Sequence, residues 1–134
     1  NLHSLFLAGG SQFTVTPTYY VFDLFQAHQG ARLVETIMEP GGTSSPNFTV
    51  SASRKEGKTL VTIGNLSCVQ DQEVILETVG QGLPDTGLGK MLWAQDLHDH
   101  NTFEQPHKIV PTDFSFDPAK PVHVPKGGIV ALSF

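Results

Sequence analysis

The sequence predicts a mainly β protein: an antiparallel β-sandwich of jelly-roll type, preceded by a short α/β unit. Three observations carry this. From Arg32 onward the apolar residues recur with a period of two, in short runs. Turn and loop signals separate those runs, at residues 40–46, 55–58 and 80–89. The one strong helix signal, residues 16–30, stands ahead of them all.

The first 15 residues open the α/β unit. Leu2, Leu5, Phe6 and Ala8 read as the tail of an apolar helix, ended by Gly9 and Gly10. Phe13 to Thr16 is short and β-prone. A helix over residues 16–29 follows at once. Thr16 suits the N-cap, Pro17 the first helical position and Gly30 the left-handed C-terminal stop. His28 would place a cation in the last turn, where the helix dipole favours one. The helix is too apolar for a surface position, because only Tyr19, Asp23 and Gln26 form a water-ready stripe. Two readings stay open. The helix is buried between layers of its own domain, or it is made to pack against something this chain lacks. An unpartnered apolar helix should fold back onto the sandwich or pair between chains.

The strands then follow in order. Residues 32–38 are a strand. Residues 40–46 are a loop. Phe48, Val50 and Ala52 alternate with Thr49, Ser51 and Ser53. Residues 55–58 make a hairpin turn in which Gly57 supplies positive φ, and residues 60–66 return as the partner strand. Residues 73–79 are another strand and 80–89 a loop. Met91, Trp93, Gln95 and Leu97 alternate with Leu92, Ala94 and Asp96, which places Trp93 in the core. Phe114 with Phe116, Val122 with Val124, and residues 128–134 complete seven or eight short strands.

At 134 residues the chain fits one domain able to bury roughly two-thirds of its unfolded surface. One cysteine, Cys68, excludes an internal disulfide and a thiolate metal cluster. Its neighbours Leu66 and Val69 make it a small hydrophobe rather than a nucleophile. A net charge of −5 with scattered lysines and arginines argues against nucleic acid as a partner. No apolar run approaches the ~20 residues of a membrane span. The N-terminal segment lacks the basic region of a signal peptide, and the sequence does not decide the compartment. Asn47 and Asn65 head glycosylation sequons, a pattern that chance produces often.

The polar clusters offer little chemistry. Asp96, His98 and His100 would share one face of an extended strand, a spacing that can seat a metal. The same residues suit a solvated turn, and no second ligand set stands elsewhere, so no metal is expected. Glu73 and Glu77 lie on one face of a strand but read as a solvated face rather than a glycosidase pair. Glu35, Glu39, Asp113 and Asp117 show no partner, and His107 and His123 stand singly in the sequence. No serine lies in a nucleophile elbow, and no glycine loop precedes a helix to hold a phosphate-bearing cofactor. Trp93, with Phe103 near it, is the candidate for a sugar-stacking platform if it is exposed instead of buried.

Four tracts resemble a known family. TPTYYVFDLFQAHQG (residues 16–30) resembles the end of the catalytic barrel in the α-L-arabinofuranosidases of glycoside hydrolase family 51. HNTFEQPHKIVP (100–111), NFTVSASRKEGKTLVTIGNLS (47–67) and PVHVPKGGIVALSF (121–134) are similar to later segments of that family, in the same order. The resemblance implies a (β/α)₈ barrel followed by a C-terminal β-sandwich of jelly-roll type. Residues 1–30 would be the end of the barrel (helix end, last strand, last helix), and 31–134 the sandwich. The family removes terminal α-L-arabinofuranosyl units from arabinan and arabinoxylan with retention, using two glutamates. Neither glutamate motif occurs in this sequence, so no catalytic residue and no cofactor is assigned, and the fragment is expected to be inactive alone. The partners implied are the rest of a parent enzyme, arabinose-containing saccharides bound through it, and further copies of the chain. Some family members carry a sugar-contacting Gln at the position of Thr16, which makes Thr16 the one substrate-binding candidate. The alternative from another class is a free-standing carbohydrate-binding module using Trp93.

Overall fold

A computed structural model describes residues 4–39, 47–80 and 82–134. The elements are β1 (Phe6–Gly9), β2 (Gln12–Val15), α1 (Pro17–Gln26), β3 (Arg32–Leu33), β4 (Phe48–Lys55), β5 (Lys58–Asn65), β6 (Gln72–Val74), β7 (Gly87–Leu92), β8 (Thr112–Phe116), β9 (Val122–Val124) and β10 (Ile129–Ser133). Every strand pair is antiparallel. The protein is therefore mainly β, with one helix among the described residues, as the period of two predicts.

A six-stranded sheet in the order β3-β4-β5-β10-β7-β8 forms the body. Its inner face carries Ala52, Val61, Ile63, Val130 and Leu132, which close a core with Val122 and Val124 of the two-stranded β6–β9 sheet. The register puts Val130 opposite both Ile63 and Met91, so the inner residues of three strands stack side by side. Phe114 and Phe116 reach that core by lying over Gly89 and Gly87, their cross-strand partners. A Cβ at either glycine would clash with the ring above it. The loop expected over residues 80–89 thus ends early, because β7 needs glycines where β8 supplies aromatic rings.

The turn between β4 and β5 takes positive φ at both Glu56 (51°) and Gly57 (81°), the pattern of a type I′ hairpin. β3 is only two residues long, against the expected run of 32–38. β6 likewise ends at Val74, because its partner β9 offers only three residues to pair with. Glu77 therefore does not share a strand with Glu73. The loop expected at 40–46 lies outside the described residues.

Two expectations for the N-terminal unit need correction. Residues 6–9 are a strand, not the end of a helix: β1 pairs with β2 as a hairpin around Gly10 and Ser11. Gly10 alone of the two has positive φ (59°), as a two-residue turn of type II′ requires. The helix is also shorter than 16–29 and is followed by turns up to Gly30, whose φ is 69°. It folds back onto the outer face of the large sheet, where Leu24 is buried with Leu92 and Ile109, flanked by Tyr20, Val21, Ala94, Ile129 and Ala131. So α1 is not sandwiched between layers. It covers one face and leaves Phe22 64% exposed. No helix among the described residues is long and apolar enough to cross a membrane.

Candidate functional site

The junction between the N-terminal unit and the sandwich holds the most organised polar chemistry described. It is built from two clamps, one at each end of α1.

At the N-terminal end the central group is Asn101, only 1% exposed. Its Nδ2 donates to the carbonyls of Val15 (3.1 Å) and Ile109 (2.9 Å), and the Ile109 N–H donates to its Oδ1 (2.7 Å). One side chain thus closes the residue 101–109 loop on itself and ties it to the end of β2. Leaving a buried polar group unsatisfied costs about 1–3 kcal/mol, so this geometry is tightly specified. Thr14 adds a longer bond to the Pro106 carbonyl (3.3 Å). The Phe103 ring lies close over Gly9, where a Cβ would come within 3.3 Å of it. The tract at 100–111 is therefore a docking strap across the β1–β2 hairpin.

Thr16 occupies the N-cap position with extended backbone, but its side chain does not cap the helix. Its hydroxyl turns back and donates to the Ser4 carbonyl (2.7 Å), with a longer contact to that of Leu5 (3.3 Å). The hydroxyl hydrogen is thereby used, and the oxygen is left as an acceptor.

At the C-terminal end the clamp is His28. It lies beyond the last helical turn, so it does not supply the cation expected there. Its Nδ1 is 2.6 Å from Ser53 Oγ and its Nε2 2.8 Å from Thr62 Oγ1. Burial pushes its pKa below the ordinary 6.5. Lys55 supports the same turn by donating to the Gln29 carbonyl (2.9 Å). Ser53 and Thr62 are outward-facing positions of β4 and β5, yet both are buried because this turn covers them.

Between the clamps, α1 and the outer faces of β7 and β8 enclose a cleft of about 730 Å³. Asp23, Ala27 and His28 wall it on the helix side. The Lys90–Asp113 ion pair (2.6 Å) stands opposite.

The other candidates resolve as follows. Asp96 accepts bonds from the backbone and ring of His98, and the backbone bond above all holds its carboxyl below 3.8. This is the solvated turn of the simpler reading. No group of three or more metal-ligating side chains occurs among the described residues. Glu73 is exposed and pairs with His123 (3.2 Å). Asn65 is buried, with its amide donating to Gln70 and Val124 carbonyls and accepting from Ser67, so its sequon is inaccessible in the folded chain. Cys68 is exposed, not a buried hydrophobe. Trp93 lies just past β7 and is 41% exposed, against the expectation that it fills the core. The alternation continued through residue 97, but the ladder ends at Leu92.

Sequence reasoning misses the roles of Asn101 and His28. Both stand in tracts that carry the family resemblance, but their partners are set by the fold: Val15 lies 86 residues from Asn101, and Ser53 and Thr62 lie 25 and 34 residues from His28.

Comparison with known proteins bears on this arrangement. A family model for the α-L-arabinofuranosidase C-terminal domain matches residues 1–126. An intracellular exo-α-L-arabinofuranosidase from Bacteroides ovatus is 29% identical over 133 residues, covering 94% of this chain and 25% of that protein. The family 51 arabinofuranosidase of Xanthomonas axonopodis pv. citri superposes with a TM-score of 0.78 at 28% identity, over 96% of this chain and 28% of that one. The Thermotoga maritima α-L-arabinofuranosidase, solved with arabinose, shares the fold with a TM-score of 0.83 at 18% identity. It too is matched over only 31% of its length. The chain thus spans a quarter to a third of these relatives, and it belongs to the α-L-arabinofuranosidase C-terminal domain family.

Proposed function

We propose that this chain is the accessory domain of a larger α-L-arabinofuranosidase, which removes terminal α-L-arabinofuranosyl units from arabinan or arabinoxylan with retention. The carrying observation is the asymmetry of the match: nearly all of this chain aligns to a quarter of its Bacteroides ovatus relative. In this reading residues 1–30 complete a catalytic barrel, residues 31–134 brace it, and the catalytic glutamates lie in the remainder of the parent. The exposed aromatic residues support it. Phe13 is 63% exposed and stacks on Phe6 (5.5 Å), which in turn meets Tyr19 (5.6 Å). With Phe22 they form an apolar surface suited to the parent's remaining chain. Thr16 is the proposed sugar neighbour, through the acceptor that its hydroxyl retains.

The test compares the full-length enzyme with the purified chain on an aryl α-L-arabinofuranoside. The enzyme should release the aryl group and the chain should release none. Turnover by the chain would sink the proposal.

The exposure of Trp93 favours a second reading, a carbohydrate-binding module. It requires saturable heat on titrating arabinan into the chain, lost in Trp93→Ala without unfolding. Titrations that show no heat would remove it.

A further inference from the structure

We infer that Asn101 is a positioning residue for the parent enzyme's sugar site: through one buried amide, the sandwich sets the placement of Thr16. The inference rests on the reading above, in which Thr16 lies beside the substrate.

The geometry concerns a single peptide unit. The Val15 carbonyl and the Thr16 N–H belong to the same planar group. Asn101 Nδ2 donates to that carbonyl (3.1 Å), and the N–H donates to the Leu5 carbonyl (3.0 Å). Both poles of the plane are held, one by the sandwich and one by the segment leading into β1. The Thr16 hydroxyl is tied to Ser4 on the same segment, and its carbonyl accepts the N–H of Tyr19 (3.0 Å) in the first turn of α1. Releasing Asn101 leaves the Val15 carbonyl only the longer contact from the Thr14 hydroxyl (3.5 Å), so the plane can tilt about its bond to Leu5 and shift the Thr16 side chain without unfolding β2. The other two bonds of Asn101 both go to Ile109, which is buried against Leu24 and Leu92. The amide is therefore anchored in the outer core and cannot follow the strand.

The test uses the full-length enzyme with Asn101→Ala, Asn101→Asp and, as a control, Val124→Ala. Val124 is fully buried in the opposite core and leaves the Asn101 contacts untouched. Steady-state kinetics on an aryl α-L-arabinofuranoside would be run across pH, with melting temperatures alongside. Both Asn101 variants should raise KM by about tenfold with kcat within about a factor of two, the mark of a lost binding contact made equally in the ground and transition states. Asn101→Asp keeps the acceptor for Ile109 and loses both donors. Its KM should fall back toward wild type at acid pH, where the protonated carboxyl regains one donor. Val124→Ala should lower the melting temperature and leave KM unchanged. Asn101→Asp carries the test if Asn101→Ala does not fold. An unchanged KM in Asn101→Asp, or an equal rise in Val124→Ala, would overturn the inference. A Thr16→Ala enzyme with wild-type KM would instead remove the reading on which it rests, that Thr16 lies beside the substrate.

Discussion

The two faces of the six-stranded sheet are sealed by different means. The inner face is closed by apolar side chains in register: Ile63, Val130 and Leu132 against Val122 and Val124. The outer face has a smaller apolar patch around Leu24, and its covering helix is held at each end by a polar residue, Asn101 or His28. The inner face thus depends on volume. The outer face depends on hydrogen-bond geometry, so it is sensitive to isosteric polar changes and to pH. An apolar seal is tolerant of direction, whereas a polar clamp fixes orientation, so α1 is held on the sheet at a set angle.

Substitutions should separate the two faces. The largest effect is expected from Ile63→Ala, at the centre of the inner core: about 3–4 kcal/mol lost in urea denaturation, with no dependence on mild acid. Asn101→Ala should follow at about 2–3 kcal/mol, because it orphans both backbone groups of Ile109 and leaves the Val15 carbonyl only a 3.5 Å contact from Thr14. A loss under about 0.5 kcal/mol would show that water replaces the amide and that the N-terminal clamp is weak. Gly89→Ala should cost about 1–3 kcal/mol by displacing the Phe114 ring from its cross-strand seat.

His28→Leu should cost about 1 kcal/mol at pH 7.5, with a distinct pH signature. The folded-state pKa of His28 is depressed by burial, so the unfolded chain binds the proton more readily. Its stabilising contribution is therefore complete above the unfolded value of about 6.5 and is lost as pH falls from there through the lowered folded value. Denaturation at pH 7.5 and pH 5 should show the wild type losing this contribution and His28→Leu lacking it. The carboxyls of Asp96 and Asp117 are held below 3.8, chiefly by hydrogen bonds from His98 and Lys120 respectively, and act outside that window. The smallest effect should come from Trp93→Ala, under about 0.5 kcal/mol, because the ring is 41% exposed and not part of either core.

Legibility in the sequence followed the same division. The inner face is readable where alternation reports burial directly: Phe48, Val50, Ala52, Val122 and Val124 stand out in the pattern and lie in the inner core, while Val61, Ile63, Val130 and Leu132 fall within the strands expected over 60–66 and 128–134. Alternation does not report pairing, however. It continues past Val74 and Leu92, where none of the described strands pairs with the chain, and so misplaces Glu77 and Trp93. The β1–β2 hairpin was obscured by the apolar residues before Gly9, although Gly10 followed by Ser11 carries the signature of a type II′ turn. The outer face was largely hidden. Ser53 and Thr62 look like solvent-side residues until a helix end from 25 to 34 residues away covers them. Thr16 was visible as the N-cap position, but its hydroxyl partner on Ser4 is set by the hairpin, which the local pattern did not reveal.

The most direct test of the central claim is aryl α-L-arabinofuranoside hydrolysis by the full-length enzyme beside the isolated chain at equal molarity. The account predicts steady turnover by the first and none by the second. Turnover by the isolated chain would contradict it.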